Sequence, residues 1–296
     1  MNQMRNEFTY LLSVLLVISM LIMGCDNDSD SDDNPPIQTD VVIIPSANTI
    51  LQTGMTREFS ANVDVTWSVV EAGGGSISAT GVYQSPDNSG VYTIKAVAPG
   101  DSSNFSTLEV IVSKKAAAFN LMKSGGYVVY FRHGFARSGI DNLSSTDPDW
   151  WKTCDSTIAR QLSPQGRRES IETGQVIDRL ELNYVRTFSS EFCRCRQTFD
   201  LMDLSVNYTT EPAITYWVYD ETDRFRRTDS LIAAQEIAAN ELVLISSHSF
   251  AGGGDYPEGI DQGDAVIFRP NPTPGGRPEW IDKITVEEWV ALFKPE

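Results

Sequence analysis

Tyr127-Val128-Val129-Tyr130-Phe131-Arg132-His133-Gly134 decides the fold of this chain. Tyr127–Phe131 reads as an apolar strand that starts after the break Gly125-Gly126. A second run of the same kind, Leu242-Val243-Leu244-Ile245-Ser246-Ser247-His248, closes in the same way. Between them Ser163–Leu180 is helix-like: it opens Ser-Pro-Gln and carries Ile171, Gly174, Val176, Ile177 and Leu180 on one side. Arg186–Ser189 is the next expected strand, Cys193–Leu204 a helix, and Ser230–Asn240 an Ala-rich helix. Ala265–Arg269 and Thr285–Phe293 follow as strand and short helix. Strands alternating with helices predict an α/β layered sheet over residues 114–296. His133 and His248 are the only two histidines, and both fall at the C-terminal end of an expected strand. That edge is where ligands bind in open α/β sheets.

Upstream, residues 40–113 show short β-rich runs separated by turn residues, with no run of helical period. The expected strands are Val41–Ile44, Glu58–Val63, Val65–Val70, Gly90–Ala98 and Ser106–Val112, with Trp67 as the expected core aromatic. The pattern around Trp67, Gly81-Val82-Tyr83 and Gly90–Ile94 resembles bacterial Ig-like domains, which implies a small all-β sandwich acting as a spacer. Residues 26–39 are acidic and turn-rich, the composition of a disordered tether. Arg5 precedes an apolar run from Tyr10 to Met23, about the length of a signal-peptide core and short for a spanning helix. That run ends in Leu21-Ile22-Met23-Gly24-Cys25, which resembles a bacterial lipobox. The expected organisation is a signal peptide over 1–24, a tether over 25–39, a sandwich over 40–113 and the α/β domain over 114–296. Cys25 would carry the lipid and hold the chain in the cell envelope, facing the periplasm or the exterior.

The charge balance excludes several function classes. Against 23 Lys and Arg stand 40 Asp and Glu, for a net charge of −17, so nucleic acid is not an expected partner. Two histidines cannot build a His-rich metal centre, and four cysteines in no double-pair spacing do not suggest zinc.

Four pieces in order resemble the histidine phosphatase superfamily, the phosphoglycerate mutase-like fold. They are Arg132-His133-Gly134; Leu162-Ser163-Pro164-Gln165-Gly166; Ser189-Ser190-Glu191-Phe192-Cys193-Arg194-Cys195-Arg196-Gln197-Thr198; and Val243–His248. The match covers about residues 125–290 and implies a three-layer α/β sandwich. It implies that His133 is the nucleophile, becoming a phosphohistidine, and that Arg132, Arg194 and His248 hold the phosphoryl group. The chemistry requires these residue types: an uncharged imidazole attacks in line, and planar guanidiniums grip two phosphate oxygens at once. Arg194 rather than Arg196 fits, because the family's arginine sits four residues before the threonine matching Thr198. With arginines and histidines in these roles, no metal or organic cofactor is expected. Family members place the acid either directly after the second histidine, here Ser249, or about 25–30 residues beyond the phosphate arginine. The second window holds Asp220, Glu221 and Asp223, of which Asp220 and Glu221 are the candidate proton donors.

The resemblance also bears on the cysteines. An exported chain can form disulfides, and Cys154 is expected to pair with Cys193 or Cys195. In the family match Cys195 takes a small, core-facing place, which leaves Cys193 preferred. The insert Phe135–Arg160, with Trp150 and Trp151, is expected to roof the pocket and select the leaving group. The expected function is phosphomonoester hydrolysis, on a phosphorylated small molecule or phosphoprotein. The rival is a non-catalytic binder of phosphorylated or anionic ligands on the same fold.

Overall fold

Alternation of apolar and polar residues makes the first part of the folded chain all-β. A computed structural model describes residues 39–215, 218–219, 224–249, 256–257 and 259–295. Asp40–Glu296 form one compact unit, distinct from Met1–Thr39. The expected signal peptide, Cys25 and nearly all of the tether therefore lie outside the described residues. Among the described residues no helix is long and apolar enough to cross a membrane.

Among the described residues nine strands precede residue 114: β1 (Ile43–Ile44), β2 (Thr49–Gln52), β3 (Thr56–Glu58), β4 (Ser60–Ala61), β5 (Thr66–Val69), β6 (Ser76–Ile77), β7 (Val82–Gln84), β8 (Gly90–Val97) and β9 (Phe105–Ser113). They form a sheet ordered β2-β9-β8-β5, a smaller sheet β3-β7-β6, and the pair β1-β4. The β8–β9 ladder is the longest, running antiparallel from Gly90↔Val112 to Val97↔Phe105. Phe59, Tyr83, Ile94 and Val110 are fully buried between these sheets. Trp67, expected at the centre, is only partly buried at its rim. The smaller Tyr83 takes the central place because its hydroxyl donates to the Gly74 carbonyl at 2.6 Å, so burial leaves no orphaned polar group. The short strands β2, β3, β6 and β7 escaped the sequence reading, since two to four residues carry too little alternation to register.

The second part is a mixed six-stranded sheet. Its strands are β10 (Tyr127–Arg132), β11 (Tyr184–Ser189), β12 (Thr209–Thr210), β13 (Leu242–Ser247), β14 (Ala265–Arg269) and β15 (Glu279–Ile284), in the order β12-β11-β13-β10-β14-β15. β10, β11, β12 and β13 run parallel, and β14 and β15 close the edge antiparallel. The helices are α1 (Ala116–Ser124), α2 (Pro164–Arg179), α3 (Cys193–Met202), α4 (Arg224–Ala233) and α5 (Val286–Val290). Val129, Phe131, Leu242 and Leu244 pack against Phe119 and Met122 of α1, Val176 and Ile177 of α2, and Phe199 of α3. Val128, Tyr130, Val243 and Ile245 point the other way, toward Ile214 and Ile232. With both faces covered, the central strands read as unbroken apolar runs rather than as alternating ones.

Local signals fix the helix ends. The Ser163 side chain accepts from the Gly166 N–H at 3.1 Å with Pro164 at the first helical position. Thr285 and Glu288 form a capping box on α5. The core-facing stripe of α2 runs through Gly166, Ser170, Thr173, Gly174 and Ile177; Ile171 lies off it and is exposed, contrary to the expected face. Gly174 lets α2 approach α3, since a Cβ there would overlap the Met202 carbonyl. The helix expected over Ser230–Asn240 instead spans Arg224–Ala233. The Gln235 side chain binds the Leu231 carbonyl at 2.8 Å at the helix end. Beyond it, Arg186 takes the Glu236 carbonyl at 2.5 Å and Asn183 takes that of Asn240 at 2.9 Å, which holds the Ala-rich stretch in non-helical backbone.

The two parts share one apolar cluster. Ile50, Val91 and Ile111 of the β-layer join Phe119, Met122 and Trp289 of the α/β layers. Glu109 adds ion pairs to Arg179 at 2.6 Å and Lys294 at 3.2 Å, and Lys294 also reaches Glu71 at 2.8 Å.

Candidate active site

The C-terminal ends of β10, β13 and β11 lie side by side, so the loops that leave them meet over one edge of the sheet. His133 follows β10, and its backbone N–H donates to the Ser247 carbonyl at 2.9 Å. Its Nδ1 lies 2.9 Å from the Gly134 carbonyl, and Arg194 Nε donates to its Nε2 at 3.2 Å. A carbonyl only accepts and a guanidinium only donates, so the ring carries its proton on Nδ1 and a lone pair on Nε2. Burial pushes the His133 pKa well below the ordinary 6.5; Arg194, Arg132 and Arg160 push the same way, against the bond to the Gly134 carbonyl. His133 is therefore a neutral imidazole with its unprotonated nitrogen turned to a guanidinium.

His248 follows β13 and stands edge-to-face with His133, ring centroids 5.6 Å apart. Ser190, at the end of β11, lies 2.9 Å from His248 Nε2. Phe192 stacks edge-on at 4.9 Å. Burial, then Arg194, then His133 hold the His248 pKa well below 6.5. The buried Cys195 thiol lies 3.8 Å from His248 Nε2, and burial pushes its pKa up to about 12, so it remains a thiol.

Arg132 donates through Nη1 to the Ile260 carbonyl at 2.7 Å, and the Gly263 N–H closes on the Arg132 and His133 carbonyls. Thr198 joins the loop to α3: it accepts from the Gly134 N–H at 3.0 Å and donates to the Arg194 carbonyl at 2.8 Å. Arg194 is buried, lies over the Phe192 ring and pairs with Asp141 at 3.0 Å. Arg196 turns away from the histidines to the Lys152 carbonyl. Among the described residues no group of three or more His, Cys, Asp or Glu is gathered as a metal ion requires.

No family model matches the chain, and the comparison with curated proteins finds no match. Solved structures of the histidine phosphatase superfamily cover about half of it. The protein histidine phosphatase SixA complexed with tungstate is 17% identical, over 54% of this chain and 97% of that one, with a TM-score of 0.38. The alpha-ribazole phosphatase from Shigella flexneri is 15% identical, over 48% and 89%, with a TM-score of 0.34. The phosphoserine phosphatase from Entamoeba histolytica, in complex with 3-phosphoglyceric acid, is 11% identical, over 55% and 98%, with a TM-score of 0.34.

The structure brings His133, His248, Arg132 and Arg194 to one place. The candidate acids Asp220 and Glu221, with Asp223, lie outside the described residues. Tyr219, the residue before Asp220, donates to Glu191, next in the chain to Ser190. Glu191 also takes Trp151 Nε1 at 3.2 Å and Lys152 at 3.3 Å, so the segment ending at Tyr219 meets the insert at the rim of the site.

Sequence reasoning missed three residues here: Ser190, Asp141 and Arg160. The serine pair Ser189-Ser190 at the end of β11 gave a usable signal for Ser190. Asp141 and Arg160 gave none, because the turn that opposes them forms only when the insert folds.

The insert is stapled in place. Cys154 and Cys193 form a disulfide 39 positions apart, with Cα atoms separated by 5.3 Å, while Cys195 remains a buried thiol. Trp150 packs edge-on against Phe192 at 5.7 Å. Closing a loop of this length contributes about 2–4 kcal/mol through the unfolded chain. Cys154→Ser with Cys193→Ser should lower stability by that amount in denaturant unfolding; an unchanged midpoint would show that the bridge is absent in solution.

The two neutral histidines also give stability a pH dependence. Below 6.5 the unfolded chain protonates both rings, while the folded site holds them neutral. The unfolded state then binds more protons, so stability falls as pH drops from 6.5 toward the depressed folded-state values. The slope is up to about 1.4 kcal/mol per pH unit for each histidine. Urea unfolding at pH 7 and pH 5 should show a smaller drop in His248→Gln than in wild type. Equal drops would contradict a neutral, buried His248.

Proposed function

We propose that this chain is a phosphomonoesterase that works through a phosphohistidine at His133. The observation that carries the reading is the orientation of His133: Nδ1–H fixed on the Gly134 carbonyl, and Nε2 facing Arg194 beside a second neutral imidazole. An entering phosphoryl group takes the Arg194 N–H for its own oxygen and leaves the Nε2 lone pair to attack phosphorus. The N–P bond forms as the P–O bond to the alcohol breaks, and the leaving oxygen takes a proton from the acid, for which Asp220 and Glu221 are the candidates. Water then attacks phosphorus, its proton returns to the carboxylate, and the N–P electron pair goes back to Nε2 as inorganic phosphate leaves. Arg132, Arg194 and His248 bind the equatorial oxygens, where charge builds. The substrate class is a phosphorylated small molecule or phosphoprotein, and the chemistry needs no metal.

The test is hydrolysis of a panel of aryl and alkyl phosphates by the full chain at several pH values, in EDTA. Turnover that survives the chelator supports the reading. Inorganic phosphate binding without turnover on any monoester would leave a phosphate-binding protein in its place.

The proposal extends to location. Gly24-Cys25 ends an apolar run, and lipid on Cys25 would tether the chain to a membrane in the cell envelope, with residues 40–113 as an Ig-like spacer. In Cys25→Ala a fatty-acid probe should no longer label the chain, and a larger precursor should accumulate; continued labelling contradicts the anchor.

A further inference from the structure

The insert Phe135–Arg160 folds back on itself. Ser138 and Gln161 exchange backbone bonds at 3.2 and 2.6 Å, Ile140 N–H donates to the Ser156 carbonyl at 3.3 Å, and Asn142 N–H to that of Ile158 at 2.8 Å. This pairing sets Asp141 opposite Arg160. Asp141 Oδ1 accepts from the Arg160 backbone N–H at 3.1 Å and from Arg194 Nη1 at 3.0 Å, and Oδ2 lies 3.7 Å from Arg160 Nε. One carboxylate thus ties Arg160 to the arginine that already touches His133 Nε2.

Two observations separate Arg160 from an ordinary surface arginine. Its Nε is buried and has no hydrogen-bond partner among the described residues, since 3.7 Å to Asp141 is an ionic contact and not a hydrogen bond. A buried, unused guanidinium donor is costly and calls for an acceptor. Its charge also reaches the reacting groups, depressing the pKa of both His133 and His248. Arg132, Arg194 and Arg160 against Asp141 leave two net positive charges around two neutral rings, which matches a phosphomonoester dianion.

We propose that Arg160 is a third phosphoryl-binding arginine, supplied by the insert and aligned with Arg194 through Asp141. The inference rests on the phosphate site proposed above and adds a residue to it. It also gives the insert a second role: besides roofing the pocket, it delivers a charge to the substrate.

Binding of inorganic phosphate to the full chain, measured by calorimetry, tests this without turnover. A charge-assisted hydrogen bond is worth about 1.5–3 kcal/mol, so Arg160→Gln should weaken phosphate about 10- to 100-fold. Arg160→Lys keeps the charge but lacks the planar fork and should recover part of the loss. Arg168→Gln, on the exposed side of α2, should bind as wild type. Wild-type phosphate affinity in Arg160→Gln or in a folded Arg160→Ala overturns the inference, and so does a wild type that binds no phosphate. A wild type that binds phosphate through Arg160 but hydrolyses no monoester would sink the phosphatase reading and leave this one standing.

Discussion

His133→Ala should abolish hydrolysis of an aryl phosphate. The His133 ring is held by bonds on both of its nitrogens, which aims the lone pair of Nε2. His248 differs in its partner: its Nε2 lies 2.9 Å from the Ser190 hydroxyl rather than facing a guanidinium. An aryl phosphate has a good leaving group, so its hydrolysis depends on the nucleophile far more than on the acid. The same reasoning separates the two roles: loss of the proton donor among Asp220 and Glu221 should matter less on an aryl phosphate than on an alkyl phosphate. Unchanged turnover in His133→Ala would exclude covalent catalysis by this residue. The neutral ring also sets the pH response. With its pKa held well below 6.5, the acid limb of kcat/KM should lie below 6.5, where an ordinary exposed histidine would already be protonated.

Arg194→Ala should lower turnover by about 10²–10³, or about 3–4 kcal/mol, the usual effect of removing one preorganised charge-assisted donor at a developing oxyanion. The residue is buried, so its charge acts in a medium that screens it poorly. Removal also leaves Asp141 facing Arg160 alone, which cuts the net positive charge around the rings and should weaken the pull on the entering dianion. Arg194→Lys should recover only part of the loss, since an ammonium cannot bind two phosphate oxygens through a planar fork. Arg196→Ala, from the same helix, should leave turnover near that of wild type, because its guanidinium binds the Lys152 carbonyl. Equal losses in the two variants would contradict the assignment.

Much of the sheet was legible because its central strands are buried on both faces. A strand in that position has no polar face, so Tyr127–Phe131 and Leu242–Ile245 stand out as apolar runs. The histidines that end them needed only the rule that α/β sheets bind ligands at this edge. The helices were legible where local signals agree, as at Ser163-Pro164 and Thr285–Glu288. Reading failed where tertiary contacts override propensity. The Ala-rich stretch after Ala233 stays out of helix because Arg186 and Asn183 take its carbonyls from elsewhere in the fold. β15 was missed because its edge position needs no apolar alternation, and α1 because its buried face packs on a β-layer that the sequence did not show to be adjacent. Arg160 and Asp141 were invisible for a further reason: their relation depends on the pairing of two arms of one insert.

The measurement that bears most directly on the central claim is the position of phosphate in the trapped enzyme. The full chain is mixed with an aryl phosphate in EDTA and quenched within milliseconds in alkali, where phosphohistidine survives. The peptides are then mapped by mass spectrometry. The account predicts one phosphate, on the peptide containing His133 and absent from His133→Ala. Turnover without any phosphorylated histidine, or phosphate on His248 instead, would contradict it.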